Sequence, residues 1–244
     1  MMANNSTTDS LTIIVPVFNE APCLKHFQDE MDQFLSKSPV ETVVLFVNDG
    51  STDSSQEIID RICASDSRYH FITLDSNSGL STALKAGIDV SNSSLIGYID
   101  ADMQTVPLDF LGFIEFFPQY DLVNGIRTHR NDSIVKKLSS RIANTIRRMM
   151  IHDDIKDTCC PLKMIKTQYA RKIPFFTGMH RFIPALVQLE GGRVKEISVQ
   201  HFPRYAGTAK YNLRNRLIGP FVDTLAFLWI KRRYIRYRIS KKRI

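Results

Sequence analysis

Hydrophobic residues along the first hundred positions follow two alternating spacings, and together these predict a repeated strand–helix unit. Short apolar, β-branched runs have the length and composition of buried strands, and they cover 11–17, 42–47, 69–74 and 94–99. Apolar residues three or four apart follow the first three runs and predict helices over 20–35, around 58–62 and over 81–90. Strands that alternate with helices favour an α/β fold with a mostly parallel sheet and helices on both faces.

The pattern beyond residue 105 is less regular. It predicts a helix over 107–117 with Pro107 in its first turn, a strand over 121–126, a helix with a basic outer face over 133–150, and a late strand over 193–201. No internal repeat or low-complexity linker interrupts the chain. We therefore predict one domain over 11–212, a disordered N-terminus over 1–10 and a separate C-terminal segment over 213–244.

Polar side chains follow three of the predicted strands at the point where each strand ends. These clusters are Asn19-Glu20, the turn from Asn48 to Ser51, and the segment from Asp100 to Gln104. Ligands of open, mostly parallel sheets bind at the carboxyl ends of the strands, so the three clusters are expected to form one site.

The segment from Asp100 to Gln104 has the chemistry of a divalent-metal site. Asp100 and Asp102 offer hard oxygen ligands that suit Mg²⁺ or Mn²⁺, and Gln104 offers a third oxygen. An acid placed before Pro107 is also explained as the N-cap of a helix. Two acids at a strand end, beside two other polar strand ends, favour the metal interpretation.

The other two clusters have a structural and a functional interpretation each. Glu20 is suited to accept a hydrogen bond from a base or ribose, or to stabilise the first turn of the following helix. A tight turn explains Gly50, Ser51 and Asp53 as turn-forming or capping residues, but it explains Asp49 less well.

Charge and cysteine content indicate what kind of partner the protein binds and in which cell compartment it is found. The formal net charge is +7, yet the last fourteen residues contain eight Lys or Arg and no acid, so the rest of the chain is nearly neutral. That tail suggests an anionic partner: a nucleotide, a phospholipid surface or nucleic acid. Four cysteines without a CxxC pair argue against zinc, and we expect reduced thiols in a cytosolic protein. The polar first ten residues do not resemble a signal peptide.

Three segments, PVFNE (16–20), VNDGSTD (47–53) and DADMQ (100–104), resemble in order and spacing the nucleotide-binding half of family 2 glycosyltransferases, which have a GT-A fold. The chain is most similar to dolichyl- and polyprenyl-phosphate sugar transferases, through Pro107, Gly125-Ile126-Arg127, the basic stretch 136–148 and the segment 204–211. Two positions depart from that pattern: Asn48 replaces the first of two Asp, and Ala209 replaces Ser.

The resemblance implies a role for each site residue. The nucleoside pocket would be formed by Pro16, Phe18, Glu20 and Asp49. Asp100 would contact the donor ribose or the metal, and Asp102 and Gln104 would coordinate Mg²⁺ or Mn²⁺. The acceptor phosphate would be bound by Arg127 and Arg130, with Arg204 and Lys210 on the diphosphate or phosphate side. The residues implied in catalysis are Asp102, Arg127 and Asp157. From the residues alone, the favoured interpretation of Arg127 and Arg130 is a solvated surface pair.

The implied reaction is an inverting transfer of a sugar from a UDP- or GDP-sugar to a polyprenyl phosphate. A phosphate monoester is already anionic near neutral pH and needs little help from a general base. If the acceptor were instead a sugar hydroxyl in surface polysaccharide synthesis, a carboxylate base would be required, and Asp157 is the first candidate. A non-catalytic membrane- or nucleic-acid-binding protein is the alternative of another class.

The apolar stretch 217–230 leads directly into Lys231-Arg232-Arg233, an order typical of a segment at a membrane surface with anionic headgroups. We therefore expect a peripheral protein on the cytoplasmic face of a membrane, with no nucleic-acid partner. The C-terminal segment has three alternative interpretations: a core helix, a nucleic-acid-binding tail, or part of a truncated membrane-spanning segment. A second copy of the chain or a membrane protein is left open as a further partner.

Overall fold

A seven-stranded sheet organises the chain in the computed structural model, which describes residues 10–128, 150–151, 153–205, 213–235 and 240–241. The strands are β1 (Ser10–Val17), β2 (Glu41–Asn48), β3 (Tyr69–Thr73), β4 (Leu95–Tyr98), β5 (Leu122–Arg127), β6 (Lys163–Lys166) and β7 (Val194–Val199). The helices are α1 (Ala21–Leu35), α2 (Ser55–Ser65), α3 (Leu80–Val90), α4 (Leu111–Ile114), α5 (Thr167–Ala170), α6 (Ile183–Leu189) and α7 (Leu213–Arg233). Short 3₁₀ turns occur at Pro107–Phe110 and Met179–Arg181. The predicted helix over 133–150 lies almost wholly outside the described residues.

The strand order is β3-β2-β1-β4-β6-β5-β7. The strand pairs β1–β2, β1–β4, β2–β3 and β5–β7 are parallel, and β6 runs antiparallel to both of its neighbours. The prediction of a mostly parallel α/β sheet is therefore confirmed. β1 lies between β2 and β4, so the three polar clusters that follow β1, β2 and β4 emerge at one edge.

Side chains of β1 alternate between two apolar layers, as expected for a strand covered on both faces. Leu11, Ile13 and Val15 pack in one cluster with helices α1 and α2. Ile14 faces the other cluster, which includes residues of α3 and α6. Both layers are buried, so the edge that carries the polar clusters rests on a rigid support.

Two elements differ from the sequence prediction. The helix expected over 107–117 is a 3₁₀ turn followed by the short α4, and residues 116 and 117 bond to carbonyls three residues back. Pro118 provides the reason, because a proline disfavours α geometry in the residue before it. Strand β6 was not predicted, since a four-residue strand with lysine at both ends shows no apolar run.

Helix α7 packs one side against the domain and exposes the other. Phe227 is buried and stacks on Phe182 at 5.3 Å, and Arg181 bonds to Asp223 at 3.1 Å. Exposed large apolar side chains on this helix are Phe221, Val222, Leu225 and Trp229. Within the described part of the chain, no helix combines the length and apolarity needed to cross a membrane.

Candidate active site

The loops that follow β1 and β2 are joined by hydrogen bonds at the carboxyl edge of the sheet. The side-chain oxygen of Asn19 accepts from the backbone N–H of Thr52 at 2.8 Å. The backbone N–H groups of Asn19 and Glu20 donate to Ser51 and Ser55, each at 3.0 Å. Asn19 has a φ of 52°, a left-handed conformation that Asn tolerates better than most residues. These contacts fix Glu20 beside the β2 turn and confirm that the first two clusters meet.

Asp49 is bound on both carboxylate oxygens by the loop that precedes α3. Its Oδ1 accepts from the N–H of Ser78 at 2.7 Å, and its Oδ2 accepts from the N–H of Gly79 at 2.9 Å and from Asn77 at 3.2 Å. The side chain is buried. Its first role is therefore to position this loop, and its predicted contact with a nucleoside remains a prediction.

Pro16 and Phe18, predicted for the same pocket, are partly exposed at the end of β1. They lie on either side of the buried Val17, next to the Asn19–Glu20 loop. Their position is compatible with a pocket wall, and their contact with a nucleoside remains a prediction.

Asp100 and Asp102 follow β4 directly and are coupled electrostatically. The hydroxyl of Tyr98 donates to Oδ1 of Asp100 at 2.7 Å, and the N–H of Gln104 donates to Oδ1 of Asp102 at 3.1 Å. Burial, followed by the charge of Asp102, raises the pKa of Asp100 to about 6. Burial also raises the pKa of Asp102, and the nearby Glu20 contributes. Burial is thus the main cause of both raised pKa values, and repulsion between the acids adds to it.

Arg204 bridges two of these acids. Its Nη2 lies 2.9 Å from Oδ2 of Asp102, and its Nη1 lies 3.2 Å from Oε1 of Glu20. The segment 201–205 runs alongside 102–104, with the N–H of Phe202 donating to the carbonyl of Gln104 at 2.9 Å. The third cluster thus joins the first through one guanidinium.

The pair of carboxylates fits a divalent cation. Among the described residues, no group of three or more His, Cys, Asp and Glu is arranged to hold a metal. Mg²⁺, however, is typically bound by one or two carboxylates together with substrate phosphates and water. Burial penalises the charges of Asp100 and Asp102 and raises both pKa values, and a bound cation would offset that penalty. The contacts of Gln104 described above involve its backbone, so coordination by its side chain stays a prediction.

A second arginine–carboxylate pair links the end of β5 to the segment before β6. Arg127 contacts both oxygens of Asp157, with Nε and Nη2 each at 2.8 Å, and its backbone N–H also donates to Asp157. Burial alone would raise the pKa of Asp157, but the hydrogen bonds and charge of Arg127 outweigh burial and lower it. A carboxylate stabilised in this way is a weak base. Arg130 and Lys210 lie outside the described residues.

Two buried residues near Asp100 were not predicted as parts of the site. Tyr98 orients Asp100 from the strand, and a polar aromatic two positions before an aspartate, on the same strand face, was a usable signal. Lys163 lies opposite Tyr98 on β6 and donates to the backbone carbonyls of Thr158 and Cys160. Burial lowers the pKa of Lys163. It gave no signal because its strand was not predicted.

The sequence matches the family model described as glycosyl transferase family 2 over residues 12–174. Relatives include the undecaprenyl-phosphate 4-deoxy-4-formamido-L-arabinose transferases of Yersinia pestis (strain Pestoides F) and Yersinia pseudotuberculosis serotype O:3 (strain YPIII). Each is 29% identical over 230 residues, which cover 93% of this chain and 70% of the relative.

Solved glycosyltransferases share the fold. Mannosyl-3-phosphoglycerate synthase from Rubrobacter xylanophilus superposes with a TM-score of 0.70 at 17% identity, covering 96% of this chain and 79% of that one. Glucosyl-3-phosphoglycerate synthase from Mycobacterium tuberculosis, solved with Mn²⁺ and UDP-glucose, gives a TM-score of 0.69 at 13% identity, covering 95% and 82%. These neighbours confirm the GT-A fold. The family match covers well over half of the sequence, and the chain therefore belongs to glycosyl transferase family 2.

Proposed function

We propose that this glycosyltransferase moves a sugar from a UDP- or GDP-sugar to a polyprenyl phosphate, with inversion at the anomeric carbon and with bound Mg²⁺ or Mn²⁺. The observation that carries the proposal is the convergence of Glu20, Asp100 and Asp102 at the carboxyl edge of the sheet, beside Arg204. Three acids and one guanidinium are suited to bind a nucleoside diphosphate through a metal ion.

On the donor side, Asp100 and Asp102 would hold the metal, which would neutralise the charge that develops on the departing diphosphate. Glu20 follows β1 and is positioned to accept from a ribose or base. Asp49 supports the pocket indirectly, because it fixes the loop at 77–79 against the β2 turn. The solved relative that contains Mn²⁺ and UDP-glucose supports this assignment by its fold.

On the acceptor side, the state of Asp157 favours a phosphate over a hydroxyl. A sugar hydroxyl must lose a proton as it attacks, whereas a phosphate monoester attacks as an anion. Asp157 is the first candidate base for a hydroxyl acceptor, yet Arg127 engages both of its oxygens and lowers its pKa. The remaining work is to position the reactants. The sequence relatives are named as transferases that use undecaprenyl phosphate, which supports the same acceptor class.

A lipid acceptor also suits the exposed face of α7. Phe221, Leu225 and Trp229 lie one or two turns apart on this helix and are about half exposed or more. Arg232 and Arg233 follow, with Arg233 placed over the ring of Trp229 at 5.5 Å. We propose that the segment 213–244 lies on an anionic membrane surface at the cytoplasmic face. Co-sedimentation with vesicles that contain phosphatidylglycerol, but not with neutral vesicles, is the expected result.

The decisive experiment supplies a short-chain polyprenyl phosphate, Mn²⁺ and a panel of UDP- and GDP-sugars, and separates lipid-linked product by extraction. We expect sugar transfer with at least one donor, and loss of transfer when EDTA is added. Asp66→Asn serves as the matched control for Asp102→Asn, because Asp66 precedes β3 and lies at the opposite end of the sheet from the site. Transfer to free sugars but never to the lipid phosphate would overturn the acceptor proposal.

A further inference from the structure

Arg204 contacts an oxygen that the proposed metal would use. In the protein, Oδ1 of Asp102 accepts from the backbone N–H of Gln104, so Oδ2 is the oxygen that faces the site. Nη2 of Arg204 lies 2.9 Å from that Oδ2. The Asp102 side chain is 7% exposed and that of Glu20 is 12% exposed, so bulk water solvates neither carboxylate fully.

A divalent cation on Asp102 and the guanidinium in this position are incompatible electrostatically. A metal within coordination distance of Oδ2 would lie within a few ångströms of Nη2, and two positive groups at such a separation repel strongly in a partly buried site. Asp100 and Glu20 lie nearby and attract either cation, while Lys163 acts on Asp100 and His201 acts on Asp102 with the opposite sign. The guanidinium and the metal therefore compete for the same negative charge.

We propose that Arg204 is an internal counter-ion that occupies the position of the metal on Asp102, and that it transfers to the donor diphosphate when metal and nucleotide bind together. The inference rests on the proposed function. It adds that Arg204 opposes binding of the metal alone and supports binding of the metal–nucleotide complex. Loading of a bare cation is thereby suppressed, and the complete donor is favoured.

The backbone around Arg204 allows this exchange by rotation of the side chain. The N–H of Tyr205 donates to the carbonyl of Asp102 at 3.4 Å, and the ring of Tyr205 lies against His26 with centroids 4.7 Å apart. The N–H of Phe202 donates to Gln104. These contacts anchor the segment on both sides of Arg204 without using its guanidinium. The Arg204 side chain is 27% exposed, so it is open on one side to a ligand that enters from solvent.

The test is a titration of free Mn²⁺ by electron paramagnetic resonance, with wild type and Arg204→Gln, in the absence and presence of saturating UDP or GDP. Without nucleotide, we expect Arg204→Gln to bind Mn²⁺ about tenfold more tightly than wild type. With nucleotide, the order reverses, and the variant binds Mn²⁺ about tenfold more weakly because the diphosphate has lost its guanidinium partner. A purely structural role would shift both affinities in the same direction.

Arg181→Gln is the matched control. Arg181 forms a partly exposed arginine–carboxylate bond at 3.1 Å with Asp223, which is not one of the acids of the site. This variant should match wild type in both titrations. Arg204→Lys is a second variant that keeps the charge but not the two-pronged shape, and we expect it to show a smaller gain without nucleotide. It also keeps the test available if Arg204→Gln does not fold.

The outcomes separate this inference from the proposed function. Weaker Mn²⁺ binding by the Arg204 variants both with and without nucleotide would overturn the exchange while leaving a metal-dependent enzyme intact. Equal affinities in all proteins would overturn it as well. If wild type and variants all fail to bind Mn²⁺, with UDP and with GDP, the metal dependence itself fails and the exchange fails with it.

Discussion

Two arginine–carboxylate contacts in the described chain have similar burial and opposite electrostatic results. Asp102 and Asp157 have side chains that are 7% and 9% exposed. Asp157 accepts hydrogen bonds from Nε and Nη2 of Arg127 and from its backbone N–H, and the pKa of Asp157 is lowered. Asp102 contacts Nη2 of Arg204, whose Nη1 contacts Glu20 instead, and the pKa of Asp102 is raised.

The difference shows that burial alone does not decide whether a carboxylate is structural or available to a ligand. A bidentate partner satisfies Asp157 within the protein, so a further cation gains little there. Asp102 shares the guanidinium of Arg204 with Glu20 and lies close to Asp100, so acids outnumber the arginine in this group. The first pair is suited to fix a loop, and the second group is suited to attract a metal.

The largest expected effect comes from Asp102→Asn, which removes the charge that the comparison assigns to ligand binding. We expect the rate of sugar transfer to fall about a thousandfold, because the metal loses a charged ligand. Stability should not fall, since the substitution removes a charge that is penalised by burial and, to a lesser degree, repelled by Glu20. Initial rates and thermal melts of the same preparations measure both. A variant that melts far below wild type would assign Asp102 a structural role like that of Asp157.

The next effect is on stability and concerns the other pair. Arg127→Met leaves Asp157 buried without its partner, which should lower the free energy of unfolding by about 3 kcal/mol. The double variant Arg127→Met/Asp157→Leu should recover most of that loss, because no uncompensated charge remains. Urea denaturation of wild type and both variants measures the difference. A loss below about 0.5 kcal/mol, the value typical of exposed pairs, would mean that the pair is solvated.

The parallel half of the fold and the convergence of the acids were accessible from the sequence for local reasons. Strands β1, β2 and β4 consist largely of apolar residues, and the acids follow β1 and β4 at their carboxyl ends. The partners of Arg204 were not accessible, because Glu20 and Arg204 are 184 positions apart and only tertiary folding joins them. The ion pair of Arg127 with Asp157 was hidden in the same way, since unpredicted β6 aligns their two segments.

The difference in charge compensation also predicts an effect of pH. The pKa of Asp100 in the folded protein is about 6, above its value in the unfolded chain, so folding is favoured by protonation. The contribution of Asp100 to stability should rise by about 1 kcal/mol as the pH falls from 7 to 5 without metal. Asp157 contributes no slope in this window, because its lowered pKa leaves it ionised in both states.

The measurement compares wild type with Asp100→Asn in urea at pH 7, 6 and 5. His180, whose pKa burial lowers to about 3, contributes a slope of opposite sign, but it does so in both proteins. The difference between the two proteins therefore isolates Asp100. Saturating Mn²⁺ should abolish the pH dependence of that stability difference by keeping Asp100 ionised. A difference that does not change with pH would mean that Asp100 already has an ordinary environment.

The smallest effect is expected for an exposed pair, which provides the baseline for both buried ones. Lys25 and Asp29 are 2.8 Å apart on α1, at a distance as short as those in the Arg127 pair, but their side chains are 75% and 54% exposed. Water screens such a pair, so Lys25→Ala should change the free energy of unfolding by less than about 0.5 kcal/mol. Urea denaturation of Lys25→Ala and Arg127→Met under the same conditions compares their losses in free energy of unfolding directly. A loss of more than about 1 kcal/mol would mean that distance, rather than the absence of water, sets the strength of these contacts, and the contrast between Asp102 and Asp157 would then need another cause.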